Sequence, residues 1–320
     1  MLLDQVTRAA ERLAAAGVGS PRHDAEQIAA HVHGVTRGTL HTVPDAEFDA
    51  RFWAEVARRE AREPLQHITG RACFRYLELE VGPGVFVPRP ETEVMTGWAI
   101  DQLRVMDAVD LVVVDLGTGS GAIGLAIAQE VPRTRVHAVE AQRLAHAWAQ
   151  RNIERNTDRS ARSWEGGSAG QASRAPDLPV PRVALHLADL AGALPELDGA
   201  ADLVISNPPY IPDGSSVPPE VGEYDPPAAL WGGHDGLDTI RRLERTAARL
   251  LRPGGLVAVE HGSPQGAAVY AVFPESNGWR DIRGHRDLAG RDRFVTARRA
   301  PAENDAPYEP GTVTWQDGPL

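Results

Sequence analysis

The chain contains no lysine. All 33 basic residues among its 320 are arginine, and 44 acidic residues outnumber them for a formal charge of −11. A net acidic chain does not adhere broadly to nucleic acid, which leaves room only for a local basic patch. Cysteine is nearly absent. Cys73 stands alone, which excludes an internal disulfide framework and fits a reducing cytoplasm. With no activating base nearby in sequence, Cys73 is expected to be a small buried filler. No run of about 18 uncharged apolar residues occurs, so no membrane span is indicated. The opening stretch "MLLDQVTRAAERL" carries charges throughout and lacks the apolar core of a signal peptide. Together these absences predict a cytoplasmic protein with no membrane partner. His67, His234 and His261 lack metal-ligand spacing, and no metal site is expected. There is no internal repeat.

What is present divides the chain. Leu3, Val6, Ala10, Leu13 and Ala14 recur at helical spacing until Gly17. Ser20-Pro21 opens a second helix, as cap and first-turn proline. Residues 45–62 predict a third, with Phe48, Phe52, Trp53 and Val56 on its apolar side. Up to Arg75 there are ten arginines and ten carboxylates. Residues 1–75 therefore read as a neutral helical domain suited to protein recognition or packing. Residues 76–90 predict a β-hairpin linker turning at Gly82-Pro83-Gly84. From about residue 108, strands ("LVVVDLG", "RVHAVE", "VALHLAD", "DLVISN", "GGLVAVEHG") alternate with helices at 121–130, 142–155 and 236–251. Two further strands are expected near 279–283 and 293–298. Alternation of this kind predicts a parallel sheet covered on both faces. Residues 157–181, rich in Ser, Gly, Ala, Pro and Arg, read as a flexible insertion, and residues 300–320 as a disordered tail.

The chemistry concentrates at strand ends. "DLGTGSGAIG" follows the first strand of the alternating region, and Gly117, Gly119 and Gly121 permit a tight turn with close backbone approach to a ligand. The helix that follows offers unpaired N–H groups. Glu140 ends the next strand, 21 residues beyond Gly119, where an acid accepts from ribose hydroxyls. The spacing also spells the dinucleotide fingerprint, so the loop alone does not separate cofactors. Glu140, Asp189, Asn207 and the glycine loop all follow strands, so a parallel sheet brings them to one edge. If the first and fourth strands are neighbours, Asn207 faces the glycine loop, and Asp189 is free to accept from an adenine amino group.

"VISNPPYIP" (204–212) ends a buried strand abruptly. Pro208 and Pro209 have no N–H, so the ladder stops and the local carbonyls become available. Asn207 adds an acceptor and a donor, and Tyr210 a flat face. Two acceptors beside an aromatic surface suit a planar –NH2 conjugated to a carbonyl or ring.

On these residues the chain resembles the class I S-adenosylmethionine-dependent methyltransferases that modify amino groups of planar substrates. "REPLQHITG", "PGVFVPRPETE", "SNPPY" and "GGHDGLD" together resemble the HemK-type release factor glutamine methyltransferase family, from the N-terminal helices to about residue 298. The resemblance implies a Rossmann-like α/β methyltransferase domain (residues 91–299), joined by the hairpin to a small N-terminal helical substrate-recognition domain. It implies S-adenosyl-L-methionine as cofactor, S-adenosyl-L-homocysteine as product, and release factors as protein partners. The methylated group is then the side-chain nitrogen of glutamine in a Gly-Gly-Gln loop. Carried over residue by residue, Gly117, Thr118, Gly119 and Gly121 line the methionine part of the cofactor. Glu140 holds the ribose, and Asp189 and Leu190 border the adenine. Asn207 and the Pro208 carbonyl hold the glutamine amide, Pro209 shapes the loop and Tyr210 packs on the amide. Asn207 is placed against the cofactor as well. Leu190 departs from an aromatic common in the family, and Asp225 from a glutamate. Arg89 is placed either at the cofactor carboxylate or in a hinge salt bridge.

Four other readings stay open. A ribosomal-protein glutamine methyltransferase would share the site chemistry. An adenine N6-methyltransferase shares "NPPY" but needs a basic groove or a target-recognition domain, and no sequence-specific nucleic-acid binding is expected here. A nicotinamide dehydrogenase leaves residues 207–210 unexplained, and a non-catalytic nucleotide-binding scaffold predicts binding without turnover.

Overall fold

The computed structural model describes residues 2–43, 50–162 and 182–301. Four helices come first: α1 (Leu2–Ala15), α2 (Pro21–His33), α3 (Ala50–Glu60) and α4 (Leu65–Thr69). Val6, Leu13, Ile28, Phe52 and Val56 close into one small core among them, as the helical spacing predicts. Residues 45–49, expected to begin the third helix, lie outside the described residues.

A hairpin follows, but not where the sequence suggested. Its strands are β1 (Arg71–Phe74) and β2 (Leu77–Glu80), paired antiparallel across a turn at Arg75-Tyr76. Arg75 holds φ at +52°, and its guanidinium grips the Glu130 carboxylate at 2.5 and 2.8 Å. That anchor lies 55 residues away, invisible to a local reading. Gly82-Pro83-Gly84 instead lies against a later helix: a Cβ on Gly82 would stand 2.7 Å from the Trp148 ring, and one on Gly84 2.9 Å from Leu144. Cys73 is likewise corrected. Alternation along β1 buries Ala72 and Phe74 and leaves Cys73 exposed.

The remainder is an α/β domain with α5 (Thr92–Val105), β3 (Leu111–Leu116), α6 (Ala122–Glu130), β4 (Thr134–Glu140), α7 (Arg143–Arg162) and β5 (Arg182–Leu187). It continues with β6 (Ala201–Ser206), α8 (Pro219–Gly222), α9 (Asp238–Leu250), β7 (Leu251–Glu260), α10 (Gly266–Tyr270), β8 (Trp279–Arg286) and β9 (Asp292–Arg299). The sheet order is β5-β4-β3-β6-β7-β9-β8. The first five strands are parallel, whereas β9 pairs antiparallel with both β7 and β8, so the sheet is mixed rather than wholly parallel. A short β8–β9 connection cannot make the crossover that parallel pairing requires. Every residue of β3 and β6 is buried, which is why both read as continuous apolar runs. One face packs on α5 and α6 through Met95, Ile100 and Ile127, the other on α9 through Ile240, Leu243 and Leu250. α7 runs on to Arg162, so the first residues of the expected 157–181 insertion are helical, and 163–181 lie outside the described residues. The expected tail falls outside them from residue 302 onward. Among the described residues, no helix is long and apolar enough to cross a membrane.

Candidate active site

Strand order reverses between β3 and β6, which are hydrogen-bonded neighbours. The crevice at the C-terminal ends of such strands is where open α/β sheets bind ligands. Here it opens into a cleft of about 480 Å³. Gly117, Thr118, Gly119, Glu140, Asp189, Leu190, Asn207, Pro209 and Tyr210 all line it. Gly121 and Pro208 do not share that lining. Gly121 begins α6 at φ +86°, and a Cβ there would meet Leu125 at 3.3 Å, so it serves the packing of the turn. Pro208 is buried behind its neighbours.

The glycine loop is built around carboxylates. Gly117 and Gly119 have φ of +73° and +58°, and a Cβ on either would enter open space. Glu140 Oε2 accepts from the Gly119 N–H at 2.9 Å and Oε1 from the Gln142 N–H at 2.8 Å. Asp115, fully buried in β3, accepts from the Thr118 hydroxyl at 2.5 Å and the Gly124 N–H at 3.0 Å, both on Oδ2. Among the described residues its Oδ1 has no partner. Burial pushes Asp115 up to about 6, against the lowering effect of those two bonds. Asn152 on α7 braces the loop from behind, donating to the Ser120 and Glu80 carbonyls.

Asp189 is engaged through one oxygen, which leaves Oδ2 for the adenine role expected from the sequence. Its Oδ1 caps the Ala191 N–H at 2.9 Å and accepts from Arg242 of α9 at 2.5 Å. Those bonds hold its carboxyl below the ordinary aspartate range. Arg89 forms the hinge salt bridge: its Nη2 lies 2.6 Å from Asp225, whose side chain is fully buried. Burial raises Asp225 to about 6 despite the arginine.

Opposite the glycine loop, the 207–212 segment is held by a second strip of chain. Ile211 exchanges backbone bonds with Leu230 and Gly232, both at 2.9 Å. A Cβ on Gly232 would stand 2.8 Å from the Pro209 carbonyl, and one on Gly236 2.2 Å from the Tyr210 carbonyl. The glycines of "GGHDGLD" therefore allow two backbones to touch. Gln265 completes the clamp, donating to the Tyr210 carbonyl at 2.8 Å.

Between these strips, residues 213–230 roof the cleft with Val217, Pro218, Val221, Pro226 and Ala229. The N-terminal helices clasp this roof. Glu220 of α8 receives both Nε and Nη2 of Arg62 at 2.6 Å and Nη1 of Arg59 at 3.1 Å. Arg59 is itself paired with buried Asp24 at 2.8 Å, and the Tyr224 hydroxyl donates to the Ala61 carbonyl.

Two cleft residues escaped the sequence reading. Asn207 Nδ2 donates to the Thr92 hydroxyl oxygen at 3.1 Å. The Tyr210 hydroxyl donates to Glu260 Oε1 at 3.4 Å, and among the described residues the buried Glu260 Oε2 has no partner. Glu260 is 1% exposed, and burial raises it to about 7, with Glu91 adding and Thr92, Arg293 and Tyr210 opposing. Burial also raises the Tyr210 phenol. The signal for Glu260 was present: like Glu140, it is a carboxylate ending an apolar strand at the ligand edge.

Residues 4–70 match the family model described as PrmC N-terminal domain, and residues 83–222 that described as Methyltransferase small domain. The release factor glutamine methyltransferase of Streptomyces coelicolor is 59% identical over 302 residues, covering 94% of this chain and 99% of its own. That of Mycolicibacterium smegmatis is 47% identical, covering 92% and 96%. A 4-amino-L-phenylalanine/4-methylamino-L-phenylalanine methyltransferase of Streptomyces pristinaespiralis is 40% identical, covering 87% and 89%.

Proposed function

The chain belongs to the release factor glutamine methyltransferase family, and we propose that it methylates the side-chain amide nitrogen of glutamine in the Gly-Gly-Gln motif of peptide chain release factors. The methyl donor is S-adenosyl-L-methionine, and S-adenosyl-L-homocysteine is the product. The observation that carries the reading is the polarity of Asn207. Its Nδ2 is engaged by Thr92, which leaves Oδ1 to accept from an N–H in the cleft.

The residues present fit this donor. Gly117 and Gly119 leave a cradle that any side chain would fill, beside the paired Glu140 carboxylate. Gly117, Thr118 and Gly119 line the methionine part, with Gly121 shaping the turn. Glu140 holds the ribose, and Asp189 and Leu190 border the adenine, Asp189 through its Oδ2. When bound, the donor supplies an electrophilic methyl on a positive sulfonium.

The protein's task is to present a poor nucleophile. A carboxamide nitrogen has a delocalised lone pair and two N–H donors. Asn207 Oδ1 accepts from one, and the Pro208 carbonyl, which does not line the free cleft, would have to turn inward to accept from the other; Pro209 fixes the loop, and Tyr210 supports the amide plane. With the donor bound, these residues would aim the amide nitrogen at the methyl that the sulfonium supplies, and the amide proton would pass to solvent after transfer. No strong base is required.

The neutral N-terminal helices, which clasp the roof, form the surface on which a protein substrate docks. A second reading, methylation of a small aromatic amine, is raised by the Streptomyces pristinaespiralis relative. Labelled S-adenosylmethionine incubated in parallel with purified release factor, ribosomal protein, DNA and 4-amino-L-phenylalanine separates these. Label is expected on the release factor, at one glutamine. Label on adenine or on the small amine, with none on glutamine, rejects the reading.

A further inference from the structure

β9 runs antiparallel to β7 and begins where β7 ends, with Phe294 opposite Glu260. The β8–β9 turn, residues 287–291, therefore projects from the same sheet edge as Asn207 and the glycine loop. β9 lies two strands from β6, about 10 Å across the sheet. The turn is built rigidly. The buried Asp287 carboxylate accepts from the Ala289 and Arg291 N–H groups at 2.9 and 3.0 Å. It also accepts from Arg291 Nε at 3.2 Å and from Arg293 Nε and Nη2 at 3.3 and 3.1 Å. The Asp287 N–H donates to the Arg291 carbonyl, the Gly290 N–H donates to the Asp287 carbonyl, and Gly290 closes the turn at φ +76°. Both arginines tie this turn to the cleft. Arg293 lines it, and Arg291 Nη2 lies 3.5 Å from Glu91, which lines it too. On top of this frame Leu288 stands 96% exposed.

A lone exposed apolar side chain is ordinary on a protein surface, and Val109 is nearly as exposed. Val109, however, precedes β3 and so sits at the opposite sheet edge from the cleft. Leu288 differs in standing at the ligand edge, on a turn that is held still. Deepening the release factor reading, on which it rests, we propose that the β8–β9 turn is a docking element for the release factor, with Leu288 as its apolar anchor on the surface flanking the Gly-Gly-Gln loop. A glutamine carried on a folded protein reaches the end of β6 only if the surrounding surface closes on the rim of the cleft. An anchor already ordered in the free enzyme loses little conformational entropy when that surface buries it. Arg286 and Arg291 flank the leucine with guanidinium groups more than half exposed, ready to donate to the carbonyls that a glycine-rich loop leaves bare. An apolar centre with a polar rim is the anatomy of a protein contact. It gives nothing to a free amino acid, so the turn selects glutamine presented on a protein over a small amine.

Steady-state kinetics of the full-length enzyme on intact release factor test this. Leu288→Ser is expected to raise KM for release factor about tenfold, as loss of one buried leucine from an interface does. Its kcat at saturating release factor and its cofactor Kd should stay within about twofold. Binding of release factor to enzyme loaded with S-adenosylhomocysteine, measured by calorimetry, should weaken by the same factor as KM. Leu288→Met keeps an apolar anchor and should hold KM within about threefold. Val109→Ser, the same kind of loss at the far edge, should leave KM unchanged. Because Leu288 is exposed, folding of these variants is not at issue. An unchanged KM in Leu288→Ser, or an equal rise in Val109→Ser, overturns the proposal. A fall in kcat at constant KM overturns it too, since that would put the turn in the chemistry instead of the docking. If wild-type enzyme places no methyl on the glutamine of release factor, the underlying reading fails. If wild type methylates it and Leu288→Ser matches wild type, the docking turn alone is refuted.

Discussion

Gly236→Ala perturbs the site through the Tyr210 backbone, without removing any side chain placed against a ligand. The added Cβ would stand 2.2 Å from the Tyr210 carbonyl oxygen, 2.6 Å from Gln265 Nε2 and 3.1 Å from the Pro212 nitrogen. Real Cβ contacts do not fall below 3.0 Å, so the Tyr210 carbonyl must retreat by about 1 Å. Retreat also breaks the 2.8 Å bond from Gln265 that fixes this carbonyl. A misplacement of about 1 Å at a reacting group costs on the order of 10²-fold in rate. The native φ of +76° adds about 1–2 kcal/mol of strain to any residue with a Cβ. Single-turnover methyl transfer should therefore slow about 10²-fold. Cofactor Kd should stay within about threefold, because Gly117, Gly119 and Glu140 sit on the other side of the crevice. Gly199→Ala is the control: its φ is +68°, but none of the described residues lies within 4 Å of the new Cβ. It should lower stability by a similar amount and leave kcat alone. A folded Gly236→Ala enzyme with rate within a few-fold of wild type would refute the inference that this glycine fixes the reactive corner.

Asn207→Ala should leave cofactor binding nearly intact while cutting kcat at least about 10²-fold, as loss of a positioning contact does; a fully active variant removes Asn207 from the mechanism. Glu220→Ala opens the clasp between the N-terminal helices and the roof, so KM for release factor should rise while cofactor Kd holds, and stability should fall by about 1–2 kcal/mol for a half-buried charge cluster. An unchanged KM would show that the clasp does not serve substrate docking. Burial lifts Glu260 in the native state to about 7 from an ordinary 4.5, so the native protein holds this proton more tightly than the unfolded chain. Its contribution is fully present below about pH 4.5 and lost as pH rises through 7. Thermal unfolding should thus show Glu260→Gln gaining up to about 3 kcal/mol on wild type between pH 4.5 and pH 8, and a pH-independent difference would contradict it.

Much of the site lies in contiguous stretches, and those were legible. Apolar runs gave β3 and β6, glycine spacing gave the β3–α6 turn, and two prolines announced the end of pairing after Asn207. What escaped depends on distant partners. The hairpin turns at Arg75 because Glu130 holds it, while the glycine-proline-glycine stretch that looked like a turn instead cushions Trp148 and Leu144. Asp189 meets Arg242 only once α9 packs beside it. Thr92 lies 115 residues from Asn207, so their hydrogen bond exists only in the folded chain. The antiparallel β8 and β9 were seen as strands, but their direction follows from a connection too short for a crossover.

Mass-spectrometric mapping of release factor after reaction with wild-type and Asn207→Ala enzyme is the most direct measurement. A single methyl on the side-chain amide of the Gly-Gly-Gln glutamine, absent with the variant, is the predicted result. A methyl on any other residue, or equal modification by both enzymes, contradicts a carboxamide gripped by Asn207 at the end of β6.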